Sequence, residues 1–260
     1  MPEAFFRFYG ELNDFLPPER RQKQFKHSFL LPTPVKDLIE SLGVPHPEVE
    51  LILVNGASVD FQHVIQDGDR VSVYPIFESL DVSSLVKVRP EPLRQPRFIL
   101  DAHLGRLAAY LRMLGLDALY RNDYDDQELV RLSVEQRRIL LTRDTGLLKH
   151  AAVTHGYFVR EVEPRRQAAE VVRRFQLQRY VAPFTRCLRC NELLERIEGD
   201  PPPEVPHGVR KRHREFWRCR GCGRVYWKGS HYSRMRAWVR AVAGDEIPPG
   251  LPATIESSRA

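Results

Sequence analysis

The sequence predicts an α/β protein: a parallel sheet with flanking helices, preceded by a small α+β unit and followed by a cysteine-rich segment. Three observations carry that prediction. Apolar residues alternate at strand spacing through the first third, short apolar runs alternate with helical-period segments from Arg97 onward, and all four cysteines fall in two Cys-x-x-Cys pairs. At 260 residues the chain has room for one large domain or two to three small ones.

The first unit reads as strands at "AFFRFYG", "QFKHSFLL", "VELILVNG" and "RVSVYPI", with the turn "QDGDR" before the last. Between the second and third lies "TPVKDLIESLG", where Thr33 suits an N-cap, Pro34 the first helical position and Gly43 the stop. The arrangement over residues 1–80 resembles a β-grasp domain, similar to ubiquitin and the small sulfur carriers. In those proteins the chemistry resides in a free C-terminal Gly-Gly, whereas here "YPIFESLD" runs on. The resemblance therefore implies an interaction role with a protein partner, not sulfur transfer. "RPEPLRQP" reads as an extended linker within 81–96, because each proline lacks an amide donor and disfavours helix before it.

From Arg97 strands and helices alternate over 97–180. "RFIL" is a buried strand, and Leu104, Leu107, Ala108, Leu111 and Leu114 recur at helical spacing until Gly115. "DALYR", "RILLT" and "GYFVREV" supply further strands, "DDQELVRLS" and "PRRQAAEVVRRFQL" further helices. In such sheets the ligand site lies at the carboxyl ends of the strands. Asp101 follows the first strand, Asp123, Asp125 and Asp126 the second, and Asp144 the third. Taken singly, Asp101 and Asp144 read more readily as N-caps, and Asp125 or Asp126 more so. Convergence on one sheet edge turns the reading toward a cation site, since clustered carboxylates repel unless an ion neutralises them. Oxygen donors suit Mg²⁺ or Mn²⁺, and phosphodiester hydrolysis is the matching chemistry.

The run from "FILDAHLGRL" through "DDQEL" to "ILLTRDTGLLKH", residues 97–150, resembles the PIN-like nucleases of the Mut-seven C-terminal RNase family. The resemblance implies Asp101, Asp126 and Asp144 as ligands of Mg²⁺ or Mn²⁺ in RNA cleavage, with Asp125 and Asp123 as further candidates. Many PIN domains carry another acid shortly after the third; here Thr145 and Gly146 follow, which implies a different fourth ligand or weaker activity. Thr142 could orient Asp144, while Arg143 could hold a phosphate or pair with a carboxylate. Haloacid-dehalogenase phosphatases need a second Asp where this chain has His103.

Cys187, Cys190, Cys219 and Cys222 have the spacing of a zinc ribbon over 181–243, despite a 28-residue gap between the pairs. Four thiolates leave zinc no open position, so its role is structural. Arg212, Arg214, Trp217, Trp227 and His231 stand in a stretch of interleaved cations and aromatics that could grip single-stranded RNA, with about half of the rings expected in the ribbon's own core. Residues 244–260 read as a disordered end.

The net charge of +6 is uneven: Lys plus Arg against Asp plus Glu is 10 to 14 for residues 1–95, 15 to 11 for 96–180 and 15 to 9 for 181–260. That asymmetry points to a polyanionic partner for the last two thirds. No apolar run is long enough to span a bilayer and the start lacks a signal-peptide pattern, so the expected location is cytoplasmic, without a membrane partner. The expected function is a metal-dependent ribonuclease. The alternative is a non-catalytic RNA-binding adaptor whose acids are caps and whose β-grasp domain recruits a protein.

Overall fold

The computed structural model describes residues 1–75, Val88 and 95–244. The linker expected within 81–96 and the end expected at 244–260 lie almost wholly outside the described residues. Of the described residues, those within 1–94 and 126–158 form one compact unit and the remainder a second.

The N-terminal part runs β1 (Glu3–Phe8), β2 (Phe25–Ser28), β3 (Thr33–Pro34), α1 (Val35–Ser41), β4 (Val49–Val54), β5 (Ala57–Val59), β6 (Val64–Ile65) and β7 (Arg70–Pro75). Its main sheet has the order β2-β1-β7-β4-β5. β1 and β7 are parallel and the remaining pairs antiparallel. Phe6, Phe8, Ile52, Val71 and Val73 from the sheet and Leu38 and Ile39 from α1 are buried in one core. One expectation fails locally. Thr33 does not cap α1: its hydroxyl donates to the Leu31 carbonyl at 2.6 Å, and Pro34 occupies the cap position without a side-chain bond. Pairing of β3 with β6 holds both residues extended, which takes Thr33 out of reach of the helix amides.

The chain continues as β8 (Phe98–Leu100), α2 (Gly105–Met113), β9 (Ala118–Leu119), α3 (Asp126–Glu135), β10 (Ile139–Thr142), α4 (Thr145–Leu148), β11 (Gly156–Phe158) and α5 (Pro164–Arg174). This is the expected parallel α/β alternation: β8 pairs with β9 and β10 with β11, both in parallel. α2 packs on α5, burying Leu107, Ala108 and Leu111 on one side and Ala168, Val171 and Val172 on the other. Pro164 opens α5 at the position where a missing N–H costs nothing, and Glu163 caps it by accepting from the Arg166 amide at 2.9 Å.

β12 (Leu194–Arg196), α6 (His207–Arg212), β13 (Phe216–Cys219), β14 (Val225–Trp227) and α7 (Tyr232–Ala243) complete the described chain, with β12, β13 and β14 antiparallel in that order. Among the described residues no helix is long and apolar enough to cross a membrane.

Within the first unit the β-grasp part is joined to the segment carrying β10 and β11 by buried polar contacts. Glu48, fully buried, accepts from the Phe158 amide at 2.6 Å. Lys149 donates to the Glu40 carbonyl at 2.8 Å, and the His46 ring lies between Glu40 Oε1 at 2.6 Å and the Val153 carbonyl at 2.8 Å.

Candidate active site and metal centre

The candidate acids divide between the two units. Asp101, Asp123 and Asp125 belong to the second, and Asp126 and Asp144 to the first. Asp101 follows β8 directly and occupies the cap position of a short 3-10 turn, yet its side chain makes no capping hydrogen bond. The carboxylate is 14% exposed, and its Oδ2 lies 3.3 Å from His103 Nδ1. Asp144 follows β10 and does cap: its Oδ1 accepts from the Gly146 amide at 2.7 Å and the Leu147 amide at 3.4 Å. Its Oδ2 has no partner among the described residues. The buried Thr142 hydroxyl accepts from the Asp144 amide at 2.9 Å, so the residue expected to orient Asp144 does act on its backbone.

Asp126 is the first residue of α3 and is exposed. Asp125 is exposed beside it. Asp123 forms a two-pronged pair with Arg121 on the surface, which holds its carboxyl below the usual range. Arg143 places its guanidinium 5.9 Å from the centre of the Phe158 ring.

The group of metal-capable side chains gathered among the described residues is Cys187, Cys190, Cys219 and Cys222, with all four Sγ atoms within 4.8 Å of one another. Cys187 lies 3.6 Å from Cys222 and Cys190 3.3 Å from Cys219. A bridging disulfide needs about 2.05 Å. Four sulfurs at about 2.3 Å from a tetrahedral zinc stand about 3.8 Å apart, so the donor set fits a metal such as zinc. Burial pushes the Cys187 thiol up, but the Tyr226 hydroxyl at 3.0 Å and the amides of Cys190 and Arg189 outweigh it and bring it down to about 7. Burial raises Cys190 and Cys219 instead.

The cysteine centre is anchored to the α/β core by residues that the motifs did not flag. Arg112, 3% exposed, donates from Nε to the Ala118 carbonyl at 2.8 Å and from Nη1 to the carbonyls of Leu188 and Arg189 at 3.0 and 2.8 Å. Asn191 receives the Ala118 amide at 3.0 Å and donates to Asp117 at 2.8 Å. The available signal was a single arginine inside the apolar stripe of α2.

The expected RNA contacts separate. Trp217 and Trp227 are 1% and 4% exposed, so neither indole can stack on a base; they belong to the ribbon's interior, where Trp227 packs with Phe216, Val205 and Val225. Arg212 and Arg214 are exposed, and Arg212 donates to the Gly208 carbonyl. His231 is exposed at the cap position of α7 and hydrogen-bonds Arg234.

Parallel α/β elements, with Arg112 and Asn191 bonding α2 and β9 to a four-cysteine centre, define a mixed α/β protein with a candidate metal centre. The family model of the Mut7-C RNAse domain matches residues 96–239, more than half of the chain, and that of Mut7-C ubiquitin matches residues 1–81. The chain belongs to the Mut7-C RNAse family. No curated protein and no solved structure matches the chain.

Proposed function

We propose that the protein is a metal-dependent ribonuclease in which Asp101, Asp126 and Asp144 hold Mg²⁺ or Mn²⁺, with Asp123 and Asp125 as further acids. The cysteine ribbon holds a structural zinc and presents single-stranded RNA, and the ubiquitin-like domain offers a surface to a protein partner. The observation that carries the reading is the state of two carboxylates in a chain of this family. Asp101 stands at a cap position without making a capping bond, and Asp144 caps through Oδ1 while Oδ2 has no partner among the described residues. Capping therefore leaves the second carboxylate oxygen of Asp144 available.

A hard divalent ion on such oxygens supplies Lewis acidity at a phosphodiester and lowers the pKa of an attacking water. The protein's own groups position that chemistry. Thr142 fixes the turn from which Asp144 projects, His103 lies against Asp101, and Arg143 offers a guanidinium suited to a phosphate. Water oxygen bonds to phosphorus, the phosphorus–oxygen bond to the departing nucleotide breaks, and a proton reaches the departing oxygen.

The cap at Asp144 favours the second reading, an RNA-binding adaptor whose acids only start helices. Unstructured RNA incubated with wild type, Asp101→Asn and Asp144→Asn in Mg²⁺ or Mn²⁺ separates the two. Cleavage by wild type that falls to background in both variants, with RNA affinity retained, is the expected result. Absence of cleavage with either ion, together with binding that EDTA leaves unchanged, establishes the adaptor.

A further inference from the structure

α7 returns from the ribbon onto α2 and α5, and the Trp238 ring lies 4.8 Å from that of Tyr110, centre to centre. Beside this pair is a cavity of about 560 Å³ lined by Arg106 and Tyr110 of α2, Arg165 of α5, His231 at the cap of α7, and Arg234 and Trp238 of α7. Three guanidiniums face one space, and among the described residues no carboxylate lines it. Arg165 donates to the Tyr110 hydroxyl at 3.1 Å, and Arg234 bonds His231. Arg106 is exposed and has no ion pair or hydrogen bond among the described residues. Three cations that share one space, with Glu163 near Arg165 as the acid acting on them, favour an anionic ligand. Two half-buried rings between them call for one that also has an apolar face.

Arg106 also lines a second cavity, of about 500 Å³, together with His103 and Tyr120. His103 is the residue paired with Asp101. The two cavities thus share Arg106 as a lining residue, and the second is also lined by the neighbour of a proposed metal ligand.

We propose that the cavity between α2, α5 and α7 seats an unpaired nucleotide of the RNA, its base against Tyr110 and Trp238 and its phosphates on Arg106, Arg165 and Arg234. The identity of the polymer rests on the ribonuclease reading; the chemistry of the pocket selects a nucleotide over an acidic peptide, which carries charge without a stacking face. This pocket supplies a half-buried aromatic platform where Trp217 and Trp227 are buried.

The test is fluorescence anisotropy of a short labelled unstructured RNA with the full-length, zinc-loaded protein and no Mg²⁺ or Mn²⁺. Trp238→Ala is expected to weaken binding about tenfold, with Trp238→Phe restoring most of it, as loss and retention of one stacked base require. Arg106→Ala, at an exposed side chain with no structural partner, is expected to weaken binding and to flatten the salt dependence by about 0.7 in log–log slope, the share of one single-strand phosphate contact. Unchanged affinity in Arg106→Ala and in Trp238→Ala with a wild-type melting curve overturns the proposal. A polyglutamate peptide that binds with the same dependence on Trp238 also overturns it, in favour of an acidic protein. Binding that follows the pocket variants in a protein that cuts no RNA with either ion leaves the pocket standing and removes the ribonuclease reading alone.

Discussion

The guanidinium of Arg112 donates to the carbonyl of Arg189, inside the first cysteine pair, at 2.8 Å. The neighbouring Leu188 carbonyl and the Ala118 carbonyl at the edge of β9 take two further bonds from the same side chain. One buried cation thus fixes the knuckle backbone to the α/β core. Burial pulls the Arg112 pKa down while the Cys187 and Cys190 thiols pull it up, which suits a charge placed beside an anionic tetrathiolate. Arg112→Met keeps the volume and leaves these carbonyls without their donor, so a loss of about 2–4 kcal/mol is expected. Arg112→Lys recovers little, because one ammonium cannot reproduce the planar fork. Zinc release to a chromogenic chelator, followed beside urea denaturation, checks both: faster release in both variants is expected, and wild-type release in Arg112→Met would refute the anchoring role.

Glu48 is fully buried, and its Oε1 accepts from the Phe158 amide at 2.6 Å. Glu48→Ala strands that amide and should cost about 2–3 kcal/mol, whereas Glu48→Gln keeps an acceptor oxygen and should cost less. Hydrogen exchange locates the damage. Faster exchange at Phe158 and along β10 and β11 in Glu48→Ala is the expected pattern; a change confined to the β-grasp sheet would mean that the contact does not join the two segments.

The parts of the fold readable from sequence were those written locally. Period-two alternation marked β1, β4 and β7, helical period marked α2 and α5, and ligand spacing brought the four cysteines together. Thr33 was misread because its fate depends on Val64 and Ile65, which pair with the Thr33–Pro34 strand from about thirty residues away. Trp217 and Trp227 looked like base-stacking groups because a cation-flanked aromatic has the same sequence signature inside or outside a fold. β13 buries the successive residues Phe216 and Trp217, so the alternation that would separate an inner from an outer face is lost. Arg112 was visible as a charge in an apolar stripe, but two of its acceptors, Leu188 and Arg189, lie more than seventy residues on. The meeting of Tyr110 with Trp238 is likewise a product of tertiary return.

Gly115 was legible as the stop of α2, and the structure gives it a second constraint. Its φ is +82°, and a Cβ built there would lie 1.9 Å from the Ala182 carbonyl oxygen. The segment leading into the ribbon is bonded along this end of the helix: the Ala182 amide donates to the Leu114 carbonyl and the Phe184 amide to that of Met113, both at 2.9 Å. Gly115→Ala must therefore adopt a left-handed backbone and also displace residues 182–184, with an expected loss of about 3 kcal/mol or more. Gly199 supplies the control, since its φ is +84° and, among the described residues, nothing lies within 4 Å of a Cβ placed there. Gly199→Ala meets the backbone penalty alone, about 1 kcal/mol. Urea denaturation of the two variants side by side isolates the close approach from the left-handed conformation, and equal losses would show that Ala182 does not press on Gly115 in solution.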